Sequence, residues 1–173
     1  QISLVKSFRS GVIMNVLIVY DSAFGNTEAI AKKMAEAVTH PHTVRLVMID
    51  DVGRVEFEEI DTFVIGSPTQ GGRATQKIQN FLDNLPDNAL SGKYVAAFDT
   101  RLAINDHGFP LKMLIHMIGF ASPRMLSKLK KKGGKPAERP EGFIVAGKEG
   151  PLEEGELERA EQWINKVLID IID

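Results

Sequence analysis

The chain has no cysteine among its 173 residues. That absence excludes disulfides, iron–sulfur clusters, thiolate metal sites and cysteine nucleophiles together, so any redox chemistry must come from a bound cofactor. No apolar run is long enough to cross a bilayer, and the expectation is a soluble, cytoplasmic protein. Charge of one sign is also lacking: 21 basic against 23 acidic residues give a formal net charge of −2. Such a balance exerts no global pull toward nucleic acid, and no nucleic-acid partner is expected. There is no internal repeat and no low-complexity linker, so the length points to one domain.

Residues 1–13 precede Met14 and read as an N-terminal extension, with Lys6 and Arg9 but no apolar stretch of signal-peptide length. The expected domain is 14–173. Within it, short apolar runs alternate with helical patterns. Strands are expected over 16–20, 44–49, 62–67, 94–98 and 143–146, each a branched or aromatic run bounded by turn residues. Helices are expected over 27–38 and 75–85, in two pieces within 106–132, and in a closing segment where Leu157, Ala160, Ile164, Val167, Leu168 and Ile171 trace one face. Trp163 on the edge of that face reads as a packing residue. Residues 52–59 read as a short helix or loop. Five strands alternating with helices imply an α/β fold, a doubly wound parallel sheet with helices on both faces.

Ligands of open doubly wound sheets bind outside the carboxyl ends of the strands, where the strand order reverses. After the first strand comes Ser22-Ala23-Phe24-Gly25-Asn26-Thr27, opening directly into a helix. Hydroxyls, a carboxamide, a glycine and the unpaired N–H groups of a helix start suit a phosphate. The loop lacks the lysine of a Walker motif and the three glycines of a dinucleotide fingerprint, so a tightly held cofactor fits better than a transferred phosphoryl group. The plain alternative is that Ser22 and Thr27 cap the first helix. After the third strand comes Gly66-Ser67-Pro68-Thr69-Gln70-Gly71-Gly72-Arg73, where paired glycines permit sharp turns and close approaches.

These two loops, with the strand and helix spacing from Met14 onward, resemble the flavodoxin family. The resemblance implies the sheet order 2-1-3-4-5 and a bound FMN. Ser22, Ala23, Phe24, Gly25, Asn26 and Thr27 would hold the cofactor's phosphate. Pro68, Thr69, Gln70, Gly71 and Gly72 would line the flavin ring, and Asp99-Thr100-Arg101 would hydrogen-bond its pyrimidine end. The family often sandwiches the ring between a Trp and a Tyr. Here Gln70 stands in place of the first, no Tyr follows Asp99, and only His107 and Phe109 offer rings nearby. Arg101 beside the ring would favour negative charge on the pyrimidine, unless Asp99 or Asp106 claims it.

Residues 122–135 carry Arg124, Lys128, Lys130, Lys131, Lys132 and Lys135 with no acid, beside the apolar Met113, Leu114, Ile115, Met117, Ile118 and Phe120. A solvated face is the ordinary reading. The functional ones are a docking surface for an acidic redox partner protein or association with a membrane. None of His40, His42, His107 and His116 shares a metal-site spacing with an acid, so no metal is expected.

Three functions compete. The first is electron transfer between partner proteins, and the second an FMN-dependent oxidoreductase reducing quinones or other small acceptors with NAD(P)H. The third is a phospho-acceptor signalling domain or a degenerate relative. Asp21 and Lys148 would suit the signalling domain, but Gly66-Ser67 stand where its acceptor Asp should be.

Overall fold

A computed structural model describes residues 12–53, 56–103 and 108–172. Apart from Val12 and Ile13, the expected N-terminal extension lies outside the described residues, as do Asp106 and His107. The elements follow as β1 (Asn15–Tyr20), α1 (Asn26–Ala37), β2 (Thr43–Met48), β3 (Thr62–Pro68), α2 (Gln76–Asn84), β4 (Tyr94–Leu102), α3 (Phe109–Ile118), α4 (Ala121–Lys131), β5 (Lys135–Pro136), β6 (Glu141–Val145) and α5 (Glu156–Ile172). Among the described residues around the expected short helix or loop at 52–59, single 3-10 turns lie at Ile49–Asp51, just before it, and at Phe57–Glu59, at its end.

Every strand pairing within the sheet is parallel, in the order β2-β1-β3-β4-β5, with β6 also on β4. The chain builds outward from β1 to β2 on one side and through β3 and β4 on the other. The reversal therefore falls between β1 and β3, whose carboxyl ends open into the two glycine-containing loops.

Alternation of side chains along the strands divides the core in two. Val16, Ile18, Tyr20, Val64, Ala96 and Phe98 pack under α1 and α5 with Ile30, Met34, Ile164 and Val167. Leu17, Val19, Phe63, Ile65, Val95 and Ala97 pack under α2 and α4 with Ile78, Leu82, Met125 and Leu129. Both faces of β1 and β3 are thus covered, which explains their unbroken apolar runs. Trp163 is buried in the first core and donates from Nε1 to the Arg139 carbonyl at 3.1 Å.

Two expectations require correction. The fifth strand position is filled by two short strands: β5 pairs with Tyr94 and Val95, β6 with Phe98 to Leu102, and residues 137–140 bridge them. The fourth strand does not stop at Phe98 but runs to Leu102, because β6 supplies partners for Asp99, Thr100, Arg101 and Leu102. The polar triplet expected to be a loop is therefore strand. The two helical pieces are present, divided at Gly119 and Phe120, and Pro123 lies in the first turn of α4, where its missing N–H costs nothing.

Candidate functional site

A cleft of about 320 Å³ opens at the carboxyl ends of β1, β3 and β4, lined by the loop after β1 (Ser22, Ala23, Phe24, Asn26, Thr27) and by Pro68, Thr69 and Gln70. Thr100, Arg101 and Leu102 of β4, with Val145 and Lys148, complete the wall. Three segments far apart in sequence thus meet in one place. Gly25, Gly71, Gly72 and Asp99 are not part of the lining.

The loop after β1 is organised by Ser22, whose Oγ accepts from Gly25 N at 3.0 Å and Glu28 N at 3.3 Å. Its proton remains available for donation. Gly25, at φ 86°, is the N-cap residue of α1 and has no side chain of its own to cap it. The N–H groups of Ala23, Phe24, Asn26 and Thr27 have no hydrogen-bond partner among the described residues. Unpaired donors at a helix start suit an anion, a phosphate among them. Ser22 does act as a cap, as the plain alternative has it. Thr27 does not: its buried Oγ1 lies 2.8 Å from Thr100 Oγ1, tying α1 to β4.

The second loop is a tight turn. Gln70 and Arg73 exchange backbone bonds of 2.8 and 3.1 Å around Gly71 and Gly72, both at positive φ, as a type I′ turn requires. Gly72 is buried against α3, where a Cβ would sit 2.2 Å from Ile118 Cγ2; its close approach is to protein, not to the cleft. Thr69 donates its N–H to Thr100 O at 2.8 Å and accepts from Ala121 N at 3.0 Å, joining β3, β4 and the start of α4.

On β4, side chains two apart share a face. Asp99 is fully buried and accepts from Arg101 Nε at 2.6 Å and Nη2 at 2.7 Å, and from Ser122 N at 2.8 Å. Arg101 also reaches Ser122 Oγ at 3.0 Å and lies 3.7 Å over the Phe120 ring. Asp99 thus claims Arg101, which still contributes to the cleft wall. Thr100 and Leu102 face the other way. Leu102, 39% exposed, stands in the wall, and Phe24, 50% exposed, stands in the first loop. Phe109, the described ring expected to neighbour the flavin, is exposed on α3 and outside the lining.

Beside the loop, burial and then the Glu28 carboxylate push the Tyr20 hydroxyl above its ordinary range. Glu28 is held low by its bond to Lys32, and Lys32 is raised by the same contact. No metal-binding cluster of His, Asp and Glu exists among the described residues, and His42 serves the fold by accepting from Met14 N. None of the described helices is long and apolar enough to cross a membrane.

The basic segment is less bare than its sequence. Lys128 pairs with Asp83 and Lys132 with Asp87, while Lys130 and Lys131 stay exposed. Next to it α3 exposes Phe109, Met113, Leu114 and Met117. Three wall residues escaped the sequence reading of the cofactor site, Leu102, Lys148 and Val145. Gly147 and Gly150 bracketing a lysine after the last strand are the signal that points to the second.

A doubly wound parallel sheet with the unpartnered N–H groups of a helix start at its switch point defines the class. The flavodoxin domain family matches residues 17–119, more than half of the chain. The chain belongs to the flavodoxin family. It is 29% identical over 93 residues to a flavodoxin of Clostridium saccharobutylicum, an alignment covering 53% of this chain and 58% of that one. It spans about half the length of the curated relatives it matches. Among solved structures it superposes on oxidised Flavodoxin 1 of Bacillus cereus with TM-score 0.71 and 20% identity, covering 90% of this chain and 97% of that one. For a mutant flavodoxin of Fusobacterium nucleatum bound to flavin mononucleotide, the values are 0.62, 19%, 91% and 96%.

Proposed function

We propose that this protein binds FMN in the cleft at the β1–β3 switch point and passes electrons between partner proteins. The observation that carries the reading is the set of unpartnered N–H groups of Ala23, Phe24, Asn26 and Thr27 at the head of that cleft. Family membership supports it, as does the relative bound to flavin mononucleotide.

In this reading the loop Ser22 to Thr27 binds the phosphate through backbone N–H groups and the Ser22 hydroxyl. Pro68, Thr69 and Gln70 line one side of the ring. Thr100, Arg101 and Leu102 line the other, with Gly71 and Gly72 shaping the turn that carries Gln70. Asp99 acts from beneath, holding Arg101 in position. The flavin supplies reversible electron uptake when bound; the protein sets its orientation, its exposure and the charge around it. The cleft of about 320 Å³ opens at the protein surface, where a partner protein would approach the ring. The exposed apolar face of α3, with Lys130 and Lys131 on α4, supports an acidic protein as that partner. The first experiment is to purify the chain and record flavin absorbance before and after adding FMN.

A second reading is favoured by one feature: Gln70 stands where a stacking Trp is usual, and Leu102 lines the other wall without an aromatic ring. A less covered ring suits quinones or other small acceptors reduced with NAD(P)H. Steady-state turnover of the FMN-loaded protein with NADH or NADPH and a quinone separates the two, and enzymatic rates would end the pure-carrier reading.

A further inference from the structure

The cleft wall contains two cations. Arg101 is committed to Asp99 through both of its carboxylate oxygens. The other, Lys148, makes no ion pair among the described residues, and its side chain is exposed.

Lys148 is carried by a built turn. Gly150 N donates to Gly147 O at 3.0 Å, which puts Lys148 and Glu149 at the corners. The turn is closed beneath by Ala146 N donating to Pro151 O at 2.8 Å and by the bridge between Val145 and Leu152. It is then fastened to the first loop, because Asn26 Nδ2 donates to Glu149 O at 3.0 Å. Gly150, at φ 105°, has its Cα so near Asn26 that a Cβ would lie 2.6 Å from Oδ1. The turn therefore sits on the start of α1, beside the unpartnered donors.

That seat is not otherwise favourable to a dianion. Asp21 stands next to it with Oδ1 on Ser22 N, and the loop itself carries no cation. We propose that Lys148, presented by the Asn26-anchored turn after β6, supplies the positive charge that recognises the cofactor's phosphate. The inference rests on the FMN reading above and adds a residue to it.

The test is a thermodynamic cycle on apoprotein titrated by flavin fluorescence with FMN and with riboflavin, which lacks the phosphate. Lys148→Gln weakens FMN about tenfold, or ~1.4 kcal/mol, while riboflavin changes by less than about twofold. Lys148→Arg keeps FMN affinity near wild type. Raising salt from about 50 to about 500 mM lowers wild-type affinity for FMN more than that of Lys148→Gln, since the removed charge is exposed and screened. Equal losses for both flavins, or no loss for FMN, overturn the assignment of Lys148 alone. Failure of the wild-type protein to bind either flavin overturns the FMN reading, and this inference with it.

Discussion

Thr27 on α1 and Thr100 on β4 meet hydroxyl to hydroxyl at 2.8 Å beneath the candidate phosphate seat, both buried. The bond fixes the first helical turn against the strand whose next residues form the far wall of the cleft. Removing one partner leaves the other hydroxyl buried and unsatisfied, at a cost of about 1 to 3 kcal/mol. Thr27→Val and Thr100→Val should each lower the urea midpoint by such an amount in the apoprotein. The double variant should lose less than the two combined. Strict additivity in this cycle would show that the hydroxyls do not interact.

Asp99, fully buried, and Arg101, half-buried, form the ion pair of the site. Asp99→Ala strands a guanidinium that is mostly covered by Phe120 and Ser122, and breaking such pairs costs about 3 to 5 kcal/mol. It also removes the acceptor for Ser122 N at the start of α4. Denaturant unfolding should show a loss of at least about 3 kcal/mol, with the replacement of both residues by Leu and Met less damaging. A loss under about 1 kcal/mol for Asp99→Ala would mean the pair is solvated.

The raised Tyr20 hydroxyl makes an alkaline prediction. Folding favours its protonated form, so that contribution is fully present below the unfolded value near 10 and is lost as pH rises through the higher folded value. Stability should fall above about pH 10, and Tyr20→Phe should flatten that part of the profile. Absorbance at about 295 nm should show a tyrosine titrating above the usual value of about 10 that disappears in the variant. A titration unchanged by the substitution would contradict it.

In the proposed FMN reading, Leu102 of the cleft wall lies beside the ring and offers it no aromatic cover. Leu102→Tyr should tighten FMN binding several-fold, in keeping with about 0.5 to 1.5 kcal/mol for an aromatic pair, and deepen quenching of its fluorescence. Unchanged affinity and quenching would place the ring elsewhere.

Much of this was readable from residues alone, for identifiable reasons. The buried strands β1 and β3 announce themselves as branched apolar runs, and both loops carry Gly, Ser and Thr at the ends of those runs. The extent of β4 was not readable. Asp99, Thr100 and Arg101 look like a polar loop until Arg101 and Ser122 neutralise Asp99 and β6 supplies its ladder. What Gly72 packs against was not readable either, because a close approach does not reveal what approaches; here it is Ile118. The basic run hid its counterions, since Asp83 and Asp87 come from 45 positions away. Lys148 carried no periodic signal. Its place depends on the turn closing back through Val145 and Leu152 and on the Asn26 bond to Glu149.

The central claim is that the unpartnered donors of the loop Ser22 to Thr27 seat the phosphate of FMN. Titration of the apoprotein with FMN, followed by flavin fluorescence, tests it most directly. The account predicts saturable one-to-one binding with a Kd of about 1 μM or below and clearly weaker binding of riboflavin. Absence of saturable FMN binding, or riboflavin binding as tightly as FMN, would contradict it.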